Sequence, residues 1–269
     1  MLNQIKNVLG GGLLAVSLAF SGAISAGETL QRVIDFKVLK VGMSGNQPPF
    51  NALSKSGNTI GFDVDLARAL ASAMNVKLEI KAIPFGELMT ALEEDKIDMV
   101  VSGMEITPQR TERVSFVGPY MMSGKSILTK NSVLSKVSST EAFNRADLKL
   151  VALSGSTSAS FVNMAAPNAQ LIEVADYDKG VAMILEGKAD AMVADMPICM
   201  LTVLRYPDAG LTTLSEPLTV APVGIAVSKD DPQFLNLVDN YLEAYGKVGL
   251  LAKMRKKWFE NQQWIAALP

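Results

Sequence analysis

Residues 149–165 read KLVALSGSTSASFVNMA. Five residues of strand character, Lys149–Leu153, meet a small polar turn at Ser154-Gly155-Ser156. Thr157–Ala165 then has helical character. A strand, a tight glycine turn and a helix make the first half of a βαβ unit, which needs a following parallel strand. Leu171–Val174 supplies that strand, Asp178–Glu186 the next helix, Ala191–Ala194 a third strand and Met196–Arg205 a further helix.

Upstream, the same alternation has already run once. Leu39–Ser44 (LKVGMS) reads as strand. Phe62, Leu66, Ala69, Leu70, Ala73 and Met74 recur at helical spacing. Asp63 and Asp65 stand at that helix's start, where the helix dipole favours acids. Val76–Ile83 reads as strand, Phe85–Glu94 as helix and Ile97–Ser102 as strand. Two α/β lobes with mostly parallel, buried sheets follow. The extended segments Ser123–Asn131 and Leu218–Ser228 lie between and after them. They read as two crossings, by which the chain leaves lobe 1, builds lobe 2 and returns. Helices from Pro232 to Glu260 then complete lobe 1, with Leu235, Val238, Tyr241, Leu242 and Tyr245 as their apolar stripe. The expected organisation is a first part of lobe 1 over 27–126, lobe 2 over 127–218, and the rest of lobe 1 over 219–269.

Composition narrows the chemistry. The 269 residues include 25 basic and 27 acidic side chains, no histidine and one cysteine. Zinc sites of the His/Cys type and histidine-based nucleophilic triads cannot be built. Cys199 has no internal disulfide partner. A formal charge of −2 with no long basic run argues against nucleic acid as the main partner. Residues 1–26 carry Lys6, an apolar run from Val8 to Phe20 and small residues at Ser21, Gly22, Ala23, Ser25 and Ala26. This is the pattern of a cleaved secretory signal. The mature chain is expected to be soluble and exported.

A cleft between two α/β lobes binds ligands beyond the carboxyl ends of strands. Ser102-Gly103-Met104-Glu105 through Arg110 follows one such strand. Gly103 permits close approach to the backbone, and Arg110 offers a planar fork for a carboxylate. Ser156 and Thr157 open a helix, either as anion-binding backbone or as a plain N-cap. Asp195 follows a strand and precedes Met196-Pro197, so it can accept from an ammonium or cap the helix. Phe85 can stack on a ligand or fill the core. No Walker-type phosphate loop is present.

Together these pieces resemble the periplasmic amino-acid-binding proteins of ABC importers, solute-binding protein family 3. The resemblance spans about residues 38–260. It rests on Gly61-Phe62-Asp63-Val64-Asp65-Leu66, Ile106-Thr107-Pro108-Gln109-Arg110, Pro119-Tyr120 with Gly124, Ser154-Gly155-Ser156-Thr157, and Ala189-Asp190-Ala191 followed by Asp195. It implies a two-lobed type II fold that closes on one amino acid and passes it to a permease in the inner membrane. A periplasmic monomer with no cofactor and no enzymatic activity is expected. Arg110 then matches the arginine that binds the α-carboxylate, and Asp195 the acid that accepts from the α-ammonium. Gly103 and Thr157 match accessory backbone contacts near Ser102 and Ser156, and Phe85 an aromatic cover.

Two positions depart from the family pattern. Glu105 replaces a usual Ser or Thr, and Gln47 replaces an aromatic wall. Glu105 and Asp195 at one ligand amine compete unless a proton or further positive charge is present. That pair favours a basic or polar amino acid, while Gln47 argues against a tight cationic sandwich. A second reading is a cyclohexadienyl dehydratase-like enzyme. Lys125 matches a lysine of that enzyme, but Ile198 stands where it places a glutamate. A third reading, a sensory ectodomain, is disfavoured by the expected free-standing soluble chain.

Overall fold

The computed structural model describes residues 27–269 apart from Ser138. The secretory-signal reading of 1–26 lies outside the described residues. The chain opens with α1 (Glu28–Phe36) and β1 (Val38–Met43), then folds a small sheet from β2 (Asn46–Gln47), β3 (Asn51–Leu53) and β4 (Thr59–Ile60). Next come α2 (Phe62–Ala73) and β5 (Lys77–Ala82), then a 3-10 turn at Phe85–Glu87 that runs into α3 (Leu88–Glu93). β6 (Met99–Val100), α4 (Pro108–Thr111) and β7 (Ser115–Ser123) complete this first pass.

The second sheet begins with β8 (Lys125–Thr129) and continues through β9 (Lys149–Leu153), α5 (Thr157–Ala165), β10 (Gln170–Val174) and α6 (Tyr177–Leu185). β11 (Ala191–Asp195), α7 (Met196–Arg205) and β12 (Thr212–Thr213) finish it. The chain then returns as β13 (Ala221–Val227), followed by α8 (Pro232–Lys247) and α9 (Leu250–Arg255). Sheet orders are β5-β1-β6-β13-β7 and β10-β9-β11-β8-β12. The α/β two-lobed type II fold expected from the sequence is therefore present. Lys125 and Ser126 lie in β8 of the second sheet, just before the boundary expected at 126.

The sheets are mixed, where mostly parallel ones were expected. β1 pairs parallel with β5 and β6, and β9 parallel with β10 and β11. The strands that carry the chain between lobes are antiparallel: β13 to β6 and β7, and β8 to β11 and β12. These strands enter each sheet from the opposite lobe. They need no crossover helix, so their direction is free to reverse.

The two crossings form one ribbon. Ala221 pairs with Ser123, and beyond it Lys125 N–H donates to Thr219 Oγ1 at 2.9 Å while Leu218 N–H donates to the Lys125 carbonyl at 2.7 Å. A Cβ at Gly124 would lie 1.9 Å from the Thr219 carbonyl oxygen. Only glycine lets the crossings run this close.

Alternation and helical spacing place the core as expected. Leu39, Val41 and Met43 of β1 pack with Phe62, Leu66 and Leu70 of α2. A second cluster, including Ile127, Leu150, Val162 and Val193, covers the other face of the second sheet. Each such side chain contributes roughly 1.5–3 kcal/mol on burial. On α8 the fully buried stripe is Phe234, Val238 and Leu242, while Leu235, Tyr241 and Tyr245 are half-buried. Those two tyrosines lie against α2 and donate to its carbonyls, Tyr241 to Ala73 and Tyr245 to Ala69. The hydroxyls draw them toward the rim, and Phe234 takes the central place.

The two acids at the start of α2 are more than dipole partners. Asp65 accepts from Trp258 Nε1 at 2.7 Å and Lys257 Nζ at 2.6 Å. Asp63 is fully buried, accepting from Tyr120 Oη at 2.9 Å and Asn51 Nδ2 at 2.9 Å. Burial pushes its carboxyl up to about 6 despite those donors. The folded chain therefore holds this proton more tightly than the unfolded chain between roughly pH 4 and 6. Its contribution to stability rises as pH falls, by about 3 kcal/mol in full. Urea titrations of the protein and Asp63→Asn at pH 7 and 4.5 should show the unaltered chain gaining on the variant at the lower pH. Identical pH dependence would mean that Asp63 titrates normally.

Candidate functional site

Strand ends and crossings converge on one cavity of about 540 Å³ between the lobes, lined by Arg110, Lys125, Glu105, Thr157, Phe161 and Val220 among others. From lobe 1, β6 ends at Val100 and leads through Ser102-Gly103 to Glu105, which bridges to Val223 of β13. Thr107 caps α4 by accepting from Arg110 N–H. Proline at the next position fits the first turn of that short helix. This turn aims Arg110 inward, and its side chain is almost wholly buried.

Arg110 has no acid partner among the described residues. Nη1 donates to the Glu105 carbonyl at 2.8 Å and Nη2 to the Gly155 carbonyl, in lobe 2, at 3.4 Å. The Phe85 ring lies 5.5 Å from its guanidinium carbon. Burial lowers its pKa, while Glu105 and Asp195 act the other way. The guanidinium still has donors to spare for a carboxylate.

From the second lobe, Lys125 and Thr157 line the same cavity, and Asp195 bonds Lys125. β8 and β11 pair so that Lys125 and Asp195 are direct cross-strand partners. Lys125 Nζ lies 2.6 Å from Asp195 Oδ1, 2.8 Å from Glu105 Oε1 and 2.8 Å from Thr157 Oγ1. All three charged side chains are at most 7% exposed. Burial works to discharge the lysine, but Asp195 and Glu105 outweigh it and hold its pKa above the ordinary value. Burial pushes the Asp195 carboxyl up to about 6, with Lys125 opposing and Glu105 assisting. Burial acts the same way on Glu105, yet the lysine's charge and hydrogen bond hold it below its usual range.

Lys125 changes the electrostatic reading of the cleft. The sequence pattern set two acids against one arginine. The folded site sets two acids against two cations. Asp195 caps no helix: although it precedes α7, its side chain makes no capping bond. Its carboxylate is turned to Lys125 instead.

The remaining expected residues divide. Thr157 and Ser156 line the cavity. The Ser156 hydroxyl is an N-cap, accepting from Ala159 N–H at 3.2 Å and donating to the Leu153 carbonyl at 2.6 Å. Phe85 is a buried aromatic under Arg110. Asp195 and Phe85 are absent from the residues lining the cavity, as are Gln47, Ser102 and Gly103. Ser102 Oγ donates to Gln47 Oε1 at 2.9 Å and accepts from Ser44 N–H at 3.0 Å. Gly103, at φ +58°, gives its N–H to Tyr120 Oη at 3.2 Å, and Phe50 covers the place of its missing Cβ. Their polar groups are spent within the protein, on one another and on Ser44 and Tyr120.

Sequence reasoning did not count Lys125 among the site residues. Its signal was a single cation opening the otherwise uncharged run KSILT, directly after the crossing glycine. Every residue of that strand is buried, so a lysine there requires acids opposite it. The apolar wall from Phe161, Met164 and Val220 was also missed, because its residues stand apart in sequence and carry no chemistry of their own.

Comparison with known proteins agrees with this architecture. The chain is 27% identical over 256 residues to cyclohexadienyl dehydratase of Pseudomonas aeruginosa, covering 95% of each chain. It is 26% identical over 253 residues to ABC transporter arginine-binding protein 1 of Escherichia coli, covering 92% of this chain and 97% of the relative. Among solved structures, an ancestral amino acid-binding protein described as a precursor of cyclohexadienyl dehydratase matches with TM-score 0.79 and 35% identity, over 86% of this chain and 99% of that one. An ancestral arginine-binding protein bound to arginine matches with TM-score 0.78 and 32% identity, over 83% and 98%. The family model for bacterial extracellular solute-binding proteins, family 3, matches residues 39–261. Two lobes, a cleft between their strand ends and this match over nearly all described residues lead to one assignment: the chain belongs to the bacterial extracellular solute-binding proteins, family 3.

Proposed function

We propose that the chain is a periplasmic solute-binding protein that captures a free amino acid in its interlobe cleft and delivers it to an ABC permease, acting as a monomer. One observation carries this reading. Arg110 is buried in the cleft wall and, among the described residues, its guanidinium bonds backbone carbonyls and pairs with no acid. A buried guanidinium without a counter-ion is a strong site for a carboxylate. The cavity beside it suits a solute of amino-acid size. The apolar wall at Phe161, Met164 and Val220 is available to the rest of the ligand.

Capture in this fold requires the lobes to close by rotation at their crossings. Two features of the cleft support closure here. Arg110 reaches across to the Gly155 carbonyl, and Gly155 lies against Gly86 of the other lobe. Closure excludes water, which strengthens the pairing of Arg110 with an anion.

A second reading, a dehydratase acting on prephenate or arogenate, draws support from the similarity to cyclohexadienyl dehydratase and from Lys125 in the cleft. Against it, Ile198 occupies the position of that enzyme's glutamate and is buried in the core. Glu105 is left as the acid, already committed to Lys125. Incubation of pure protein with prephenate separates the readings: a binding protein leaves it unchanged, an enzyme releases phenylpyruvate.

Replacing Arg110 with alanine should lower affinity for the bound solute at least a hundredfold in calorimetry, with the fold retained by circular dichroism. Unchanged affinity would remove Arg110 from the site. Gly155→Ala tests closure separately. Its Cβ would meet Gly86 Cα at 2.7 Å, at a residue with φ +71°. Affinity should fall about tenfold or more, equivalent to ~1.4 kcal/mol. Wild-type affinity in this variant would mean that the two glycines need not touch when ligand binds.

A further inference from the structure

Residues 263–269, QWIAALP, carry no charge, and Trp264, Ile265 and Leu268 are large and apolar. They lie beyond the stretch matched by the family model, which ends at residue 261. A segment of this kind gains from folding only where its apolar groups find cover. Lobe 1 holds its root. Trp264 meets Trp258 edge-on with ring centres 5.1 Å apart, and its Nε1–H donates to the Trp258 carbonyl at 3.1 Å. In the turn between β3 and β4, Lys55 N–H donates to the Ala267 carbonyl at 2.8 Å and Lys55 Nζ to the Ala266 carbonyl at 3.1 Å.

The tip of the segment reaches lobe 2. Leu268 is 3% exposed and shares a small core with Ala52 of β3 and Leu201 of α7. Arg205 of α7 donates through Nη2 to the Pro269 carbonyl at 2.9 Å, and Asp178 of α6 accepts from its Nη1 at 2.8 Å. Leu201 and Arg205 stand one helical turn apart, so they share a face of α7. None of these residues lines the ligand cavity. Beside them the lobes meet loosely. A second cavity of about 290 Å³ lies between Gly45, Asn46 and Pro48 of lobe 1 and Asp176, Asp178 and Arg205 of lobe 2, and Leu268 and Pro269 form part of its wall.

We propose that residues 263–269 are an interlobe latch: Leu268 and the Pro269 carbonyl seat on α7 when the lobes are closed, and lose that seat when the lobes rotate apart. The crossings are the covalent links about which the lobes turn, and the latch is rooted on lobe 1. α7 begins directly after Asp195, so it moves with the lobe 2 side of the cleft. In the arrangement that seats the latch, Arg110 also reaches the Gly155 carbonyl and Glu105 meets Lys125. Latch and cleft contacts therefore form together. A solute held by both lobes binds the closed arrangement, and its apparent affinity scales with the share of chains that are closed. The latch adds to that share without touching the solute. This goes beyond the proposed capture: it rests on lobe closure in that reading, and not on which amino acid is held.

The test is an interlobe distance measured by pulsed electron resonance. Spin labels go on Lys96→Cys in lobe 1 and Lys188→Cys in lobe 2, both exposed positions, while Cys199 is buried. The labelled chain is compared with the same chain carrying Leu268→Ala, Leu268→Met or Arg205→Met, each checked by circular dichroism. Each is titrated with an equal mixture of the common L-amino acids. In Leu268→Ala and Arg205→Met, half-closure should need about threefold more mixture or higher, and Leu268→Met should follow the unaltered chain. Arg205→Met keeps the aliphatic stem and removes only the donors, so it serves if Leu268→Ala folds poorly. Equal half-points in all chains overturn the latch and leave amino-acid capture intact. If the mixture shifts no distance in the unaltered chain, capture fails and the ligand-free distances decide the latch. A larger closed share in the unaltered chain than in those two variants then upholds it, and equal shares overturn it.

Discussion

A lysine ammonium buried between two carboxylates is the constraint around which this cleft is built. Stripped of water, each of these charges is costly, and removing one partner from such a group typically costs about 3–5 kcal/mol. The sequence meets that demand from four separate places. Glu105 comes from the turn after β6, Lys125 from the first crossing, Thr157 from the start of α5 and Asp195 from the end of β11. Because Glu105 belongs to one lobe and the others to the second, the cluster also ties the lobes together. Its strength is set by burial, so any motion that admits water weakens it.

The surrounding architecture serves that arrangement. Gly124 brings the crossings so close that Thr219 receives the N–H of Lys125. The antiparallel register of β8 and β11 then sets Lys125 against Asp195. The buried layer of Asp63, Tyr120, Asn51, Ser102 and Gln47 spends its polar groups internally. Arg110 remains the one cation of the cleft without an acid partner among the described residues, and so the place where an outside anion gains most.

The fold was largely legible because its signals are local. The run of residues 149–165 declares strand, turn and helix through hydrophobic spacing and small residues, and the structure begins and ends β9 and α5 at those positions. Arg110, Thr157, Glu105 and Asp195 were legible for a related reason: they sit at the carboxyl end of a strand or in the segment that follows one, where α/β folds place ligands. What the sequence hid was partnership. Asp63 and Asp65 looked alike at a helix start, yet one is buried against Tyr120 and the other bonds Trp258. Gln47, Ser102 and Gly103 looked like pocket residues and bond within the protein instead. Lys125 looked like one polar residue in an extended segment. Its meaning depends on acids 20 residues before it and 70 after it, which only the paired strands bring together.

The most direct measurement is the nitrogen-15 spectrum of lysine side chains in ligand-free protein at neutral pH. A Lys125 ammonium held by three acceptors and shielded from water exchanges its protons slowly. The account predicts one resolved, protected ammonium signal, absent in Lys125→Gln, with through-space contacts to Glu105 across the cleft. A Lys125 signal that exchanges as fast as the exposed lysines, with no contact to Glu105, would contradict the buried cluster on which this account depends.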